Sequence, residues 1–225
     1  MQLTDKTTQV LKNFASINPN IVINQGNTLR TISEAMNVLA TAEIDMVFPQ
    51  QVGIYDLNEF LSVVSLVDSP DLVFNDDHMI ISDGSGRSNI KYHYASIDIL
   101  TTPKKEIIMP EVDVSFNLDR DTLNKIKRAA AVFGHTEMSV SVSSNGVLRL
   151  SVIDSSDATS NTFSIDVDGT YKNKDFKFVF NISNLKMIDG SYVVGISSKL
   201  ISHFVNKDIP VQYWVSLEKS STYGV

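Results

Sequence analysis

Apolar and polar residues alternate along most of this chain. Short runs rich in Val, Ile, Thr, Tyr and Phe are bounded by Asn, Asp, Gly or Ser, which is the pattern of strands with one buried face. It predicts strands at 21–23, 42–48, 51–55, 72–75, 79–82 and 89–94, then at 112–117, 138–143, 147–153, 162–167, 176–181, 192–197 and 211–217. Ser144-Asn145-Gly146 reads as a hairpin turn, because Asn and Gly tolerate the positive φ that tight hairpins need. Asp83-Gly84-Ser85-Gly86 reads as a second turn.

Four segments change period. Over 4–16, Val10, Leu11 and Phe14 share a helical face, with Lys6, Gln9, Lys12, Asn13 and Ser16 left for the other and Thr4 or Asp5 as cap. Over 56–67, Leu57, Phe60, Leu61 and Val64 fall at helical spacing behind Asp56. Over 119–134, Leu123, Ile126, Ala130 and Phe133 form one face, and Gly134 is a natural stop. A shorter helix is expected at 181–188, burying Leu185 and Ile188.

Each of the last three segments follows a strand directly and is followed by hairpins. Helix starts therefore recur about every 50 to 65 residues, which suggests a repeated unit of strand, helix and several strands. FNLDRDTL and FNISNL repeat the same aromatic, Asn, aliphatic order. Pro103 and Pro110 bracket a charged, then apolar stretch that reads as an extended connector. The expected organisation is an N-terminal domain at 1–100, a connector at 101–111 and a C-terminal domain at 112–225, with two helices in each domain backed by antiparallel sheets, an α+β class.

Composition removes several function classes. The 225 residues include no cysteine, so disulfides, Cys-based metal sites and Cys nucleophiles are absent. No run of about 18 apolar residues suggests a membrane helix, and the N-terminus does not read as a signal peptide, so a cytosolic protein without membrane contact is expected. No phosphate-binding loop, HExxH or G-x-S-x-G motif occurs. His78, His93, His135 and His203 stand singly, and Asp76-Asp77 and Asp166/Asp168 complete no calcium loop. A Ser-His-Asp triad is not nominated by anything in the sequence. No enzyme, metal or cofactor is expected.

Net charge is −7, which on its own argues against a nucleic-acid binder. The charge is segregated, however. The third helical segment carries Arg120, Lys125, Lys127 and Arg128 against Asp119 and Asp121; the first carries Lys6 and Lys12 against Asp5; the fourth adds Lys186. The second, with Asp56 and Glu59, is acidic. Lys125 and Arg128 share a face opposite the apolar stripe. One such helix is most simply a solvated surface; three within an acidic, strand-rich chain point to a surface facing a polyanion.

The strings L-T-D-K-T-T-Q-V-L-K-N-F-A-S-I-N at 3–18, V-x-I-Y-D-L-N-E-F-L-S-V-V-S-L-V at 52–67 and N-L-K-M-I-D-G-S-Y at 184–192 resemble the replication sliding clamps, the polymerase processivity factors, of T-even-type bacteriophages. The resemblance runs in order along the whole chain. It implies a DNA-clamp fold and a homotrimeric ring that encircles double-stranded DNA without reading sequence, opened by a clamp-loader ATPase and docked by the C-terminal tail of a DNA polymerase in an infected bacterial cytoplasm. The residues expected to face DNA are Lys6, Lys12, Arg120, Lys125, Lys127, Arg128 and Lys186; Lys12 and Arg128 fall where the family is expected to be basic. The strands at 89–94 and 162–167 are the expected edges for subunit pairing, through Lys91, Tyr92, His93, Thr162, Phe163 and Ile165. Ile107, Met109 and Tyr213 are expected to form an apolar pocket for the polymerase tail. The alternative is a β-rich structural or assembly protein of a virion, which has no need of basic helices on one inner face.

Overall fold

A computed structural model describes residues 1–85, 87–157 and 159–224 of the chain. The chain divides into two compact units, Met1–Glu106 and Ile107–Val225.

In the first unit the order is α1 (Asp5–Ile17), β1 (Ile21–Ile23), β2 (Gly26–Ile32), β3 (Val38–Phe48), β4 (Val52–Ile54), α2 (Leu57–Val64), β5 (Asp71–Phe74), β6 (His78–Ser82), β7 (Asn89–His93) and a 3-10 turn at Ile97–Ile99. Thr4 starts α1: its hydroxyl accepts from Thr7 N at 3.1 Å and donates to Asp45 Oδ1 at 2.6 Å. Such caps contribute about 1 kcal/mol. Val10, Leu11, Phe14 and Ala15 are buried where α1 packs on β2, β3 and α2. Phe14 has no exposed surface, so truncation to Ala there belongs with core losses of about 3–5 kcal/mol. Asp56 caps α2 by accepting from Asn58 N and Glu59 N at 2.9 and 3.1 Å. Antiparallel pairs join β1 to β4, β2 to β3, and β5 to β6 to β7. Gly53 is required by close approach: a Cβ there would lie 2.5 Å from the Ala95 carbonyl oxygen.

The second unit contains β8 (Val114–Leu118), α3 (Arg120–Phe133), β9 (Glu137–Val142), β10 (Leu148–Ile153), β11 (Phe163–Val167), β12 (Gly169–Tyr171), β13 (Phe176–Asn181), a 3-10 turn at Ile182–Asn184, β14 (Tyr192–Ser197), β15 (Ile201–Asn206), β16 (Val211–Ser216) and β17 (Thr222–Tyr223). One antiparallel array runs β11-β10-β9-β13-β17 and the other β12-β8-β14-β15-β16. Asp119 caps α3 by accepting from Thr122 N at 2.8 Å, and Gly134 closes it in the left-handed region at φ 72°. Phe178, Phe180, Phe204, Tyr192 and Tyr213 are fully buried and form much of this unit's core.

The α+β class with antiparallel sheets holds. The expected fourth helix does not form. Asn181 accepts from Ser183 N at 3.0 Å and tightens the chain into a single 3-10 turn. Beyond it, Tyr213 Oη accepts from Ile188 N at 3.1 Å and the Tyr192 hydroxyl donates to the Ile188 carbonyl. With both backbone groups of Ile188 bonded to side chains, a helical ladder has no place there. Strands β2, β12, β15 and β17 are additions to the pattern read from sequence, and β3 begins four residues earlier than expected. Gly86, the last residue of the second expected turn, lies outside the described residues. No helix among the described residues is long and apolar enough to cross a membrane.

Candidate nucleic-acid interface

α3 packs on β10 and β11 through Thr122, Leu123, Ile126 and Ala130. The helical repeat then carries Lys125 and Arg128 onto its solvent side, three residues apart on one face. Both are exposed, and among the described residues neither forms an ion pair. They line a shallow groove along the helix with Asp121, Asn124, Lys127 and Ala131.

One side of this groove, the flank bearing Arg120, Asn124 and Lys127, is different. The Arg120 guanidinium is ion-paired with Asp189, and Asn124 Nδ2 donates to the same carboxylate at 3.3 Å. The hydrogen bond from Arg120 holds the Asp189 carboxyl below its ordinary range and raises Arg120 in turn. Lys127 is half-buried on this flank; burial pushes its ammonium down, and the charge of Asp189 opposes that shift.

On α1, Lys12 is exposed and forms no ion pair among the described residues. Lys6 is also exposed, but its charge helps depress Asp45, whose carboxylate is held chiefly by the Thr4 hydroxyl. Lys186 is exposed on the segment after the 3-10 turn. The seven expected cations therefore sort into three. Lys12, Lys125 and Arg128 form no ion pair among the described residues; Lys6, Arg120 and Lys127 are tempered by a nearby carboxylate; Lys186 sits on a loop rather than a helix. Asp45 and Asp189 were missed from sequence. Each lies 38 or more residues from its partners, a pairing that local pattern does not carry.

Both expected pairing segments are terminal strands of their sheets. β7 ends the array β5-β6-β7, and β11 ends the array that begins with it. On β7, Lys91 and His93 are exposed while Tyr92 is half-buried, its ring 5.3 Å from that of Phe60 on α2. Burial, reinforced by Glu59 and Asp56, pushes the Tyr92 hydroxyl up to about 12. On β11, Phe163 and Ile165 are half-buried, and Asp166 is clasped by Arg149 through two bonds of 2.7 and 3.0 Å. Thr162 is exposed just before the strand.

The expected pocket loses one member. Tyr213 has no exposed surface and lies in the core of β16, where its hydroxyl serves Ile188; the alternation of 211–217 hid this because β16 buries residues on both faces. Ile107 and Met109 are half-buried, and Ile108 between them is 89% exposed. Among the described residues no three metal-capable side chains come together.

Residues 4–100 match the family model described as DNA polymerase processivity factor, and residues 115–219 match that of the gp45 sliding clamp C-terminal domain. The sliding clamp of Vibrio phage KVP40 is 31% identical over 97% of this chain and 99% of its own length. That of Escherichia phage RB69 is 28% identical over 99% of both. Among solved structures, PCNA from Thermococcus kodakaraensis superposes with a TM-score of 0.68 over 95% of this chain and 96% of its own, at 13% identity.

Proposed function

This chain belongs to the sliding clamp family of DNA polymerase processivity factors, and on that footing we propose that three copies close head to tail into a ring around duplex DNA and tether a replicative polymerase. The family is non-catalytic, and the proposed role needs topology rather than chemistry. The carrying observation is the exposed cations Lys12 on α1 and Lys125 and Arg128 on α3, which form no ion pair among the described residues, in a chain of net charge −7. The acidic remainder does not cancel them. At physiological ionic strength charges separated by more than about 8 Å are largely screened, so a phosphate beside α3 responds to the local positive field. The attraction is independent of sequence and weak enough for sliding.

Ring closure is supported by a terminal strand in each unit, β7 and β11, each ending its sheet among the described residues. β7 of one copy and β11 of the next can continue each other's sheets, and a contact between unlike patches generates rings when its rotation closes. Lys91, Tyr92 and His93 would meet Thr162, Phe163 and Ile165. A clamp-loader ATPase would open the ring in the host cytoplasm, and Ile107 and Met109 remain the candidate anchors for a polymerase tail. Nothing favours the virion-assembly alternative.

The test of the DNA-facing reading is loading onto nicked circular DNA across a salt series. Lys12→Ala/Arg128→Ala should keep the fold, because exposed substitutions of this kind change stability by less than about 0.5 kcal/mol. Loading should fall off at lower salt than in the wild type. Superimposed salt curves would remove α1 and α3 from the DNA surface.

A further inference from the structure

We propose that Asp189 is a positioning residue that withholds Arg120 from DNA and so sets how strongly the ring grips the duplex; this rests on the DNA-facing reading of α3. Four of the cations expected to face DNA lie on one helix, yet the structure divides them. Lys125 and Arg128 are unpaired among the described residues, while Arg120 is ion-paired with Asp189 and Lys127 feels the same carboxylate. A helix whose task was maximal attraction would have no use for an acid at that place.

Asp189 is not held by chance side-chain geometry. The preceding residue, Ile188, is fixed at both backbone groups by two fully buried tyrosines, Tyr192 and Tyr213. The following residue, Gly190, lies so close to Asn206 that a Cβ would meet its amide nitrogen at 2.7 Å. Ser191 then accepts from Arg120 N at 3.2 Å. The carboxylate is thus presented to the first turn of α3 by a rigid segment, and Asn124 donates to it at 3.3 Å from the next turn. Pre-organised placement keeps an otherwise ordinary surface pair formed. Asp189 and Arg120 are 46% and 65% exposed, so the pair sits at the surface, where a phosphate would compete for the same guanidinium. A clamp gains from this restraint, because a firmer grip on phosphate slows sliding.

A purely structural role is the competing account, since a carboxylate beside a helix N-terminus also favours the helix dipole. The two differ in sign. Loss of a merely structural carboxylate lowers the melting temperature and leaves DNA binding equal or weaker. Asp189→Asn should instead tighten binding of a short labelled duplex by about two- to five-fold at low salt, the range set by exposed ion pairs. It should also steepen the salt dependence, by up to about 0.9 in log–log slope for each Arg120 that reaches a phosphate. Asp189→Glu should restore wild-type behaviour, and Arg120→Ala should abolish the gain seen in Asp189→Asn. An unchanged slope and affinity in folded Asp189→Asn would overturn the proposal. Arg128→Ala measured beside it separates the two failures: if that variant weakens binding, only the role of Asp189 falls, and if it also changes nothing, the DNA-facing reading falls with it.

Discussion

Tyr213 shows how much one residue can depend on what lies far from it in sequence. Read locally, it is an aromatic on an alternating strand. In the structure its hydroxyl accepts from Ile188 N, and its ring lies 6.1 Å from that of Tyr192 in a core with no solvent access. Burial pushes its hydroxyl well above the ordinary phenol range, so it stays protonated at any working pH. Tyr213→Phe keeps the ring but leaves the Ile188 N–H without this acceptor. The expected loss is about 1–3 kcal/mol, read as a lower denaturant midpoint with unchanged m-value. An undiminished midpoint would mean that the hydroxyl does not hold the 185–190 segment. The cations show the converse limit. Their exposed positions on α1 and α3 followed from helical spacing, whereas which of them are paired depended on Asp45 and Asp189, residues brought up by tertiary structure.

At the scale of elements, legibility followed the strength of local signals. The three α-helices among the described residues combine a capping side chain with an apolar stripe, and all three form where expected. The 181–188 segment had two apolar residues at helical spacing but also Asn181, whose side chain prefers a turn, and Leu185, Met187 and Ile188 are buried by packing rather than by helical period. The edge strands β7 and β11 were visible as short alternating runs. The short strands β12 and β17 were not, because they form only by pairing with β8 and β13. Strand β17 is further secured by Asp113. Burial disfavours the charge of Asp113, yet bonds from Lys172 Nζ at 2.7 Å, Ser198 N at 2.8 Å and Tyr223 Oη at 2.8 Å outweigh it and hold the carboxyl well below its ordinary range. A depressed folded-state pKa stabilises above the unfolded value of 3.8 and loses that stabilisation as pH falls below it. Stability should therefore be flat near neutrality and decline in acid. In Asp113→Ala the acid-dependent part of that decline should shrink, and the protein should be about 1–3 kcal/mol less stable at neutral pH, because the Ser198 N–H and the Tyr223 hydroxyl lose their acceptor while Lys172 keeps Glu111. Hydrogen exchange at Thr222 and Tyr223 should quicken in the variant; protection equal to the wild type would show that β17 does not depend on Asp113.

For the whole molecule, the net charge pointed away from DNA and the placement of charge pointed toward it. The class of fold and the family were legible because long, ordered strings matched. Closure of the proposed ring is a property of several copies, so the terminal strands β7 and β11 can be recognised in one chain but not their pairing. The most direct measurement is release from DNA on linearisation. Labelled protein is loaded by the proposed clamp-loader ATPase onto nicked circular duplex, isolated by gel filtration, and followed after a single restriction cut. A ring held by topology stays with the circle and is lost once the DNA has ends, more slowly on longer DNA because it must slide farther to reach an end. Retention that is the same on circular and linear DNA would show binding by contact alone and would contradict an encircling clamp.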